Sequence, residues 1–361
     1  MKKILSFIVA AVFILSACDN KKEAAADGKP VVKIGATLPL TGNMAVFGES
    51  MQKGNRMAID EINANPDNVF RYEILFEDDA QMPMRGVSNV HKFIDYHHVD
   101  VIFSNFSAIA NAVNPIAEKS KIVTIHRSYG KSATKGKYNF NNLPTNERLG
   151  SGFIEFIKER NIKNVAMFSI QNEANLTVMD YIMENLADAD IKIEKYLTLP
   201  SERDFKVIVN KIKAQNPDLI MVLGFAPATE IFSKELLTQN VLPTIIGMES
   251  YNNSLEMPRF LKEFYSLGFT DGPPEFVKKY GGRTYAAQYA YDNVYIIAKV
   301  YESLGKRNGK KPTPEEVVDE IHRIKKFTGV VGDMVVDEDG QFHSEPVLYH
   351  IVNGKAIIVK E

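Results

Sequence analysis

The stretch "VDVIFSNFSAIANAVNPIAEKSKIVTI", residues 99–125, decides the fold. Residues 99–103 are apolar and β-branched, which predicts a strand; 108–118 repeat with helical period; 121–125 are again a strand. A helix of about three turns between two buried strands is a βαβ crossover, the unit of a parallel sheet. The pattern continues upstream. "VVKIGATLPL" (31–40) opens as an apolar strand, and Met51, Ala58 and Ile62 follow at helical spacing. "RYEILFED" alternates through Tyr72, Ile74 and Phe76, and Val87, Val90, His91 and Ile94 mark one face of a second helix. Strands alternating with helices predict an α/β fold, its parallel sheet flanked by helices on both faces.

Downstream the alternation restarts. Leu149, Phe153, Phe156 and Ile157 form a helix stripe, and 164–170, 191–197, 218–224 and 243–247 read as strands. Ser201 to Asp204 reads as a capping box ahead of a helix through Phe205, Ile208, Val209 and Ile212. Two similar α/β units in sequence suit a chain of 361 residues, which is too long for one small core. The tail differs: helices at about 275–304 and 314–324 precede strands turned at Asp339-Gly340 and Asn353-Gly354. It is too short for a third domain and is expected to complete the first two.

The one cysteine, Cys18, lies in "LSACDN", after Lys2-Lys3 and an apolar run from Ile4 to Leu15. That run is too short to span a bilayer of roughly 30 Å and reads as an export signal. Leu15-Ser16-Ala17-Cys18 resembles the bacterial lipobox, which implies cleavage before Cys18 and its lipidation; a leftover thiol in a cleaved leader is the plainer alternative. Asp19 resembles an inner-membrane retention signal. Residues 18–30, polar and small, read as a lipid-anchored flexible tether. The formal net charge is −2, and more negative without the two lysines of 1–17, which argues against a nucleic-acid partner.

Catalytic patterns are missing from the sequence. There is no G-x-S-x-G and no G-x-G-x-x-G, and "GKS" at 130–132 lacks the P-loop's first glycine, the position being Ile125. His91, His97 and His98 have no acid or cysteine at metal-ligand spacing, Arg127, Lys131, Lys135 and Lys137 read as a solvated basic loop, and Asp78-Asp79 as a strand-end turn. The expectation is therefore no enzyme, no cofactor and no metal. Open parallel sheets bind ligands beyond the carboxyl ends of their strands. There, Ser107 opens a helix whose free N–H groups suit a carboxylate, Ser128 offers a second donor, and Glu249 suits an ammonium group. Together they describe a free amino acid held between two lobes.

"IGATLPLTGNMAVFGESMQKGNRMAIDEINA" (34–64), "AYDNVYIIAKV" (290–300) and "FTGVVGDMVVDEDGQF" (327–342) resemble, in order, motifs of the type I periplasmic solute-binding proteins, the Leu/Ile/Val-binding branch serving ABC importers. The resemblance runs from Val31 to the end and is weakest at 250–285. It implies two lobes that close by a hinge on one small ligand, with crossovers near 143, 273 and 344. The N-terminal lobe would be 31–143 plus 274–343, and the C-terminal lobe 144–273 plus 344–361. It gives Ser107 the carboxylate, Ser128 a donor position, Glu249 the ammonium, and Phe47 and Phe225 the pocket wall. Two departures bear on the ligand: Gly130 stands where relatives carry a donor Thr, and "QNEANLTV" (171–178) replaces D-x-x-Y-G, putting Ala174 or Asn175 near an expected Tyr. The expected partners are a small ligand, an ABC permease of the inner membrane, and the membrane itself through Cys18. The expected location is the periplasm or the outer face of the cytoplasmic membrane. A ligand sensor acting on a membrane kinase or cell-wall enzyme is the alternative.

Overall fold

The computed structural model describes residues 28–360 except 249, 250, 252, 253 and 255. Cys18, the leader and nearly all of the tether lie outside the described residues.

The described residues build three sheets. The first is parallel throughout, in the order β2-β1-β3-β4-β5, from β1 (Val31–Leu38), β2 (Arg71–Asp78), β3 (Val101–Asn105), β4 (Val123–Arg127) and β5 (Asn139–Asn141). The second has the order β15-β14-β10-β9-β8-β6-β7. Its parallel part holds β6 (Asn164–Ile170), β7 (Lys192–Thr198), β8 (Leu219–Leu223), β9 (Thr244–Met248) and β10 (Glu263–Gly268). The hairpin of β14 (Val347–Val352) and β15 (Lys355–Lys360) adds to β10 in antiparallel fashion. A small antiparallel sheet joins β11 (Lys326–Gly329), β12 (Gly332–Val336) and β13 (Phe342–His343). The α/β class with helix-flanked parallel sheets is as the sequence predicts.

The period-two pattern explains how each strand serves two cores. In β6, Val165 and Met167 join a core cluster that runs through both large sheets, while Ala166, Phe168 and Ile170 join one on the other face. In β3, Val101 and Phe103 enter the shared cluster, and Ile102 packs into a third core with Val90, Phe93 and Ile109. Helix Asn146–Glu159 buries the predicted stripe Leu149, Phe153, Phe156 and Ile157. Each such side chain contributes about 1.5–3 kcal/mol.

Four local expectations change. The helix expected over 275–304 is two helices, Pro274–Tyr280 and Ala287–Asn308. Gly281 and Gly282, at φ +88° and +144°, end the first in a conformation that glycine tolerates best. The Ser201–Asp204 capping box does not form: the helix starts at Lys206, whose N–H is taken by Asp204 Oδ1, and Glu202 takes the N–H groups of Arg203 and Asp204. The capping box lies instead at Thr313 and Glu316. Helix Pro83–His91 buries Gly86, Asn89 and Val90, so His91 faces solvent, 3.5 Å from Asp95. Arg127 belongs to β4, where it is buried with its guanidinium 5.5 Å from the Tyr289 ring centre. It is not part of a solvated loop, although Lys135 and Lys137 are exposed.

Candidate functional site

The carboxyl ends of β3 and β4 converge. Phe106, just past β3, adopts φ +65°, and its N–H bonds Arg127 O at 2.9 Å. That conformation is costly for a non-glycine residue and turns the chain sharply into helix Ser107–Lys119. Ser107 is therefore the first helical residue, among the free N–H groups of the helix start. Ser128 is fully buried just past β4, and its Oγ lies 3.1 Å from Ser107 Oγ, to which it donates. Gly130 N donates to the same Ser128 Oγ at 3.1 Å. The two predicted serines thus meet, with Gly130 beside them.

The serine pair is held from below. The Asn141 side chain accepts Ser128 N–H and donates to Ser128 O, both at 2.9 Å. It also donates to Gln341 Oε1 at 2.8 Å, and Gln341 returns bonds to Asn141 O and Leu143 O. A second buried chain crosses the same strands: Ser104 Oγ lies 2.6 Å from His126 Nδ1, and His126 Nε2 lies 2.9 Å from Asn139 Oδ1. Burial lowers the His126 pKa to about 4, against the Asn139 bond, which raises it, so the imidazole is neutral at pH 7. Neutral His126 has one N–H, and donation to Asn139 leaves Nδ1 to accept from Ser104. Asp78 and Asp79 serve the turn after β2, as expected: Asp78 takes the N–H groups of Leu40, Thr41 and Ala80, and Asp79 that of Gln81.

The carboxyl edge of the second sheet has other chemistry. Asn172 caps helix Glu173–Asn185 by accepting Asn175 N–H. Asn175 is fully buried, and its amide group donates to Ile170 O and Leu223 O, joining the ends of β6 and β8. Asn175 Oδ1 and Thr229 Oγ1 are buried with no hydrogen-bond partner among the described residues. Unpaired buried polar atoms are uncommon.

The other predicted residues lie on separate elements. Phe47, in the first turn of helix Ala45–Asn63, is half-buried and meets Tyr285 edge-on at 5.9 Å. Phe225 is half-buried beyond β8. Glu249 lies outside the described residues, directly after β9. Sequence reasoning missed Tyr129 and Phe269, whose rings lie 6.3 Å apart, linking the end of β4 to the end of β10. The place of Tyr129 between Ser128 and Gly130 was the available signal. No helix among the described residues is long and apolar enough to cross a membrane.

Comparison with known proteins agrees with this architecture. Residues 31–356 match the periplasmic binding protein family. The Leu/Ile/Val-binding protein BraC3 of Rhizobium johnstonii is 22% identical over 351 residues, covering 90% of this chain and 93% of its own length. The leucine-binding protein LivK of Thermotoga maritima superposes with a TM-score of 0.79 at 20% identity, over 91% of this chain and 98% of that one. A solute-binding protein of an ABC transporter from R. palustris, complexed with 4-hydroxybenzoate, gives 0.77 at 19% identity, over 92% and 96%. The chain belongs to the periplasmic binding protein family, and its fold is that of the type I members.

Proposed function

We propose that this extracytoplasmic binding protein is a lipoprotein, anchored through Cys18, that captures an amino acid or similar small polar metabolite by hinge closure and delivers it to an ABC importer. The carrying observation is the Ser128–Ser107 pair at the start of a helix, a donor set suited to a carboxylate. Ser107 and Ser128 would hold that group, Glu249 the ammonium, and Phe47 and Phe225 the remainder. The lobe division of 31–143 plus 274–343 against 144–273 plus 344–361 is supported by the sheets: the first takes its strands from residues 31–141, the second from 164–268 and 347–360. The amino-acid reading draws on BraC3 and LivK; the 4-hydroxybenzoate complex is a reminder that a carboxylate is the common element and the rest of the ligand can vary.

The test is calorimetric titration of protein first unfolded and refolded to remove carried ligand, against amino acids, amides and aromatic acids. An amino acid should bind. Ser107→Ala with Ser128→Ala should weaken it at least ~100-fold, since each hydrogen bond to a charged group contributes about 1.5–3 kcal/mol. Glu249→Ala should remove binding of amines while sparing acids that lack one. Binding of aromatic acids alone would replace the amino-acid reading, and no binding at all would favour a sensor with another ligand.

A further inference from the structure

The edge of the first sheet opposite the serines is basic. "KRNGKK", residues 306–311, places four basic residues within six positions of a chain whose net charge is −2. The stretch closes helix Ala287–Asn308. Its position is fixed by Lys311, which donates to Val31 O and pairs with Asp100, both at 2.7 Å. Val31 opens β1, so the basic stretch lies at the amino edge of the parallel sheet, where the chain arrives from Cys18.

The acids here are engaged. Asp100 also accepts Lys33 N–H, Glu316 closes the capping box, and buried Glu320 is held by Arg307 and Arg323. Asp67 stays exposed. Lys306 and Lys310 are exposed, and Lys119, at the end of its helix near the start of β4, adds a third exposed cation to this edge.

We propose that this edge is a docking surface for anionic lipid headgroups, with Lys306 and Lys310 as its main contacts. The occupant follows from charge and reach. Val31 is thirteen residues beyond Cys18, a span that cannot exceed about 45 Å when fully extended. A basic surface next to that point is always within the tether's reach of the bilayer. Lipid attachment plus a polybasic face is a two-signal anchor. The reach argument rests on the lipoprotein reading; the charge argument does not.

The test is flotation of the mature chain, residues 18–361 with Cys18→Ser, on vesicles of phosphatidylcholine with or without phosphatidylglycerol. This chain has no lipid and keeps every described residue. It should bind vesicles that contain phosphatidylglycerol, bind pure phosphatidylcholine far less, and come off as salt rises. Lys306→Glu with Lys310→Glu should weaken that binding by roughly 30-fold or more, equivalent to about 2 kcal/mol. Lys211→Glu with Lys234→Glu changes the charge equally on exposed sites of the second lobe and should leave binding nearly unchanged. Failure to bind phosphatidylglycerol, or equal losses in the two variants, overturns the proposal. Whether the native protein carries lipid is read separately, by detergent partition of the wild-type chain against the Cys18→Ser variant, so the two readings fail independently.

Discussion

The carboxyl edges of the two large sheets are built alike and finished differently. On the first sheet, the loops after β3 and β4 are tied to each other, to Asn141 and, through it, to Gln341. On the second, Asn175 joins β6 to β8 but leaves its own oxygen unpaired, and Thr229 Oγ1 is also unpaired among the described residues. One edge is preorganised; the other holds polar groups still to be satisfied. A donor set already in position loses little freedom when ligand arrives, so it can contribute most of its bond strength. Orphaned groups instead penalise the empty protein and favour whatever satisfies them.

The largest effect should come from breaking the finished edge. Asn141→Ala removes the ties to Ser128 and leaves Gln341 Oε1 without that donor. It should cost about 3–4 kcal/mol in urea unfolding and weaken ligand along with stability. Thr229→Val, on the other edge, should cost less than about 1 kcal/mol without ligand, because its hydroxyl has no described partner to lose. Equal costs would erase the contrast.

The next effect is pH. His126 is held neutral, with a pKa lowered to about 4 from the ordinary 6.5. Between those values the unfolded chain binds the extra proton and the folded one does not. This site's contribution is therefore whole above pH 6.5, declines as pH falls towards 4, and is constant below. The loss is about 3 kcal/mol. Melting curves of wild type and His126→Gln over pH 7 to 4 should converge by that amount as acid is added, and parallel curves would refute it.

The smallest effect sharpens the site. Gly130 has φ −86°, and a Cβ there would lie 3.4 Å from Ser132 Oγ and 3.7 Å from Ser128 Oγ, ordinary contacts. Gly130→Thr should shift stability by less than about 1 kcal/mol while adding a donor beside Ser128. Titration should then show a changed order of preference among carboxylate ligands; an unaltered order would remove Gly130 from the pocket.

Much of this is legible in the sequence. The apolar run 164–170 matches β6 to the residue, and the restart of the pattern after 143 separates the two sheets. The errors in β3 and β4 share a cause. Both run two residues beyond their apolar cores, through Ser104-Asn105 and His126-Arg127, all buried. Apolar periodicity ends a strand where polar residues begin, but here Ser104 and His126 bond each other and the strands continue two residues further. The pairing of Ser107 with Ser128 is expected from sequence as proximity to one edge. Their support by Asn141 and Gln341 is not, because no local pattern links positions 200 residues apart.

That separation also has a temporal consequence. Synthesis runs from the amino terminus, so β1 to β5 are complete long before Gln341 exists. Until then Asn141 lacks a bond from its amide to a side chain 200 positions later, and the rim carrying Ser128 is held only in part. Contacts of such high sequence separation come late and slow folding. The rim of the first sheet therefore gains this support only when almost the whole chain has been made.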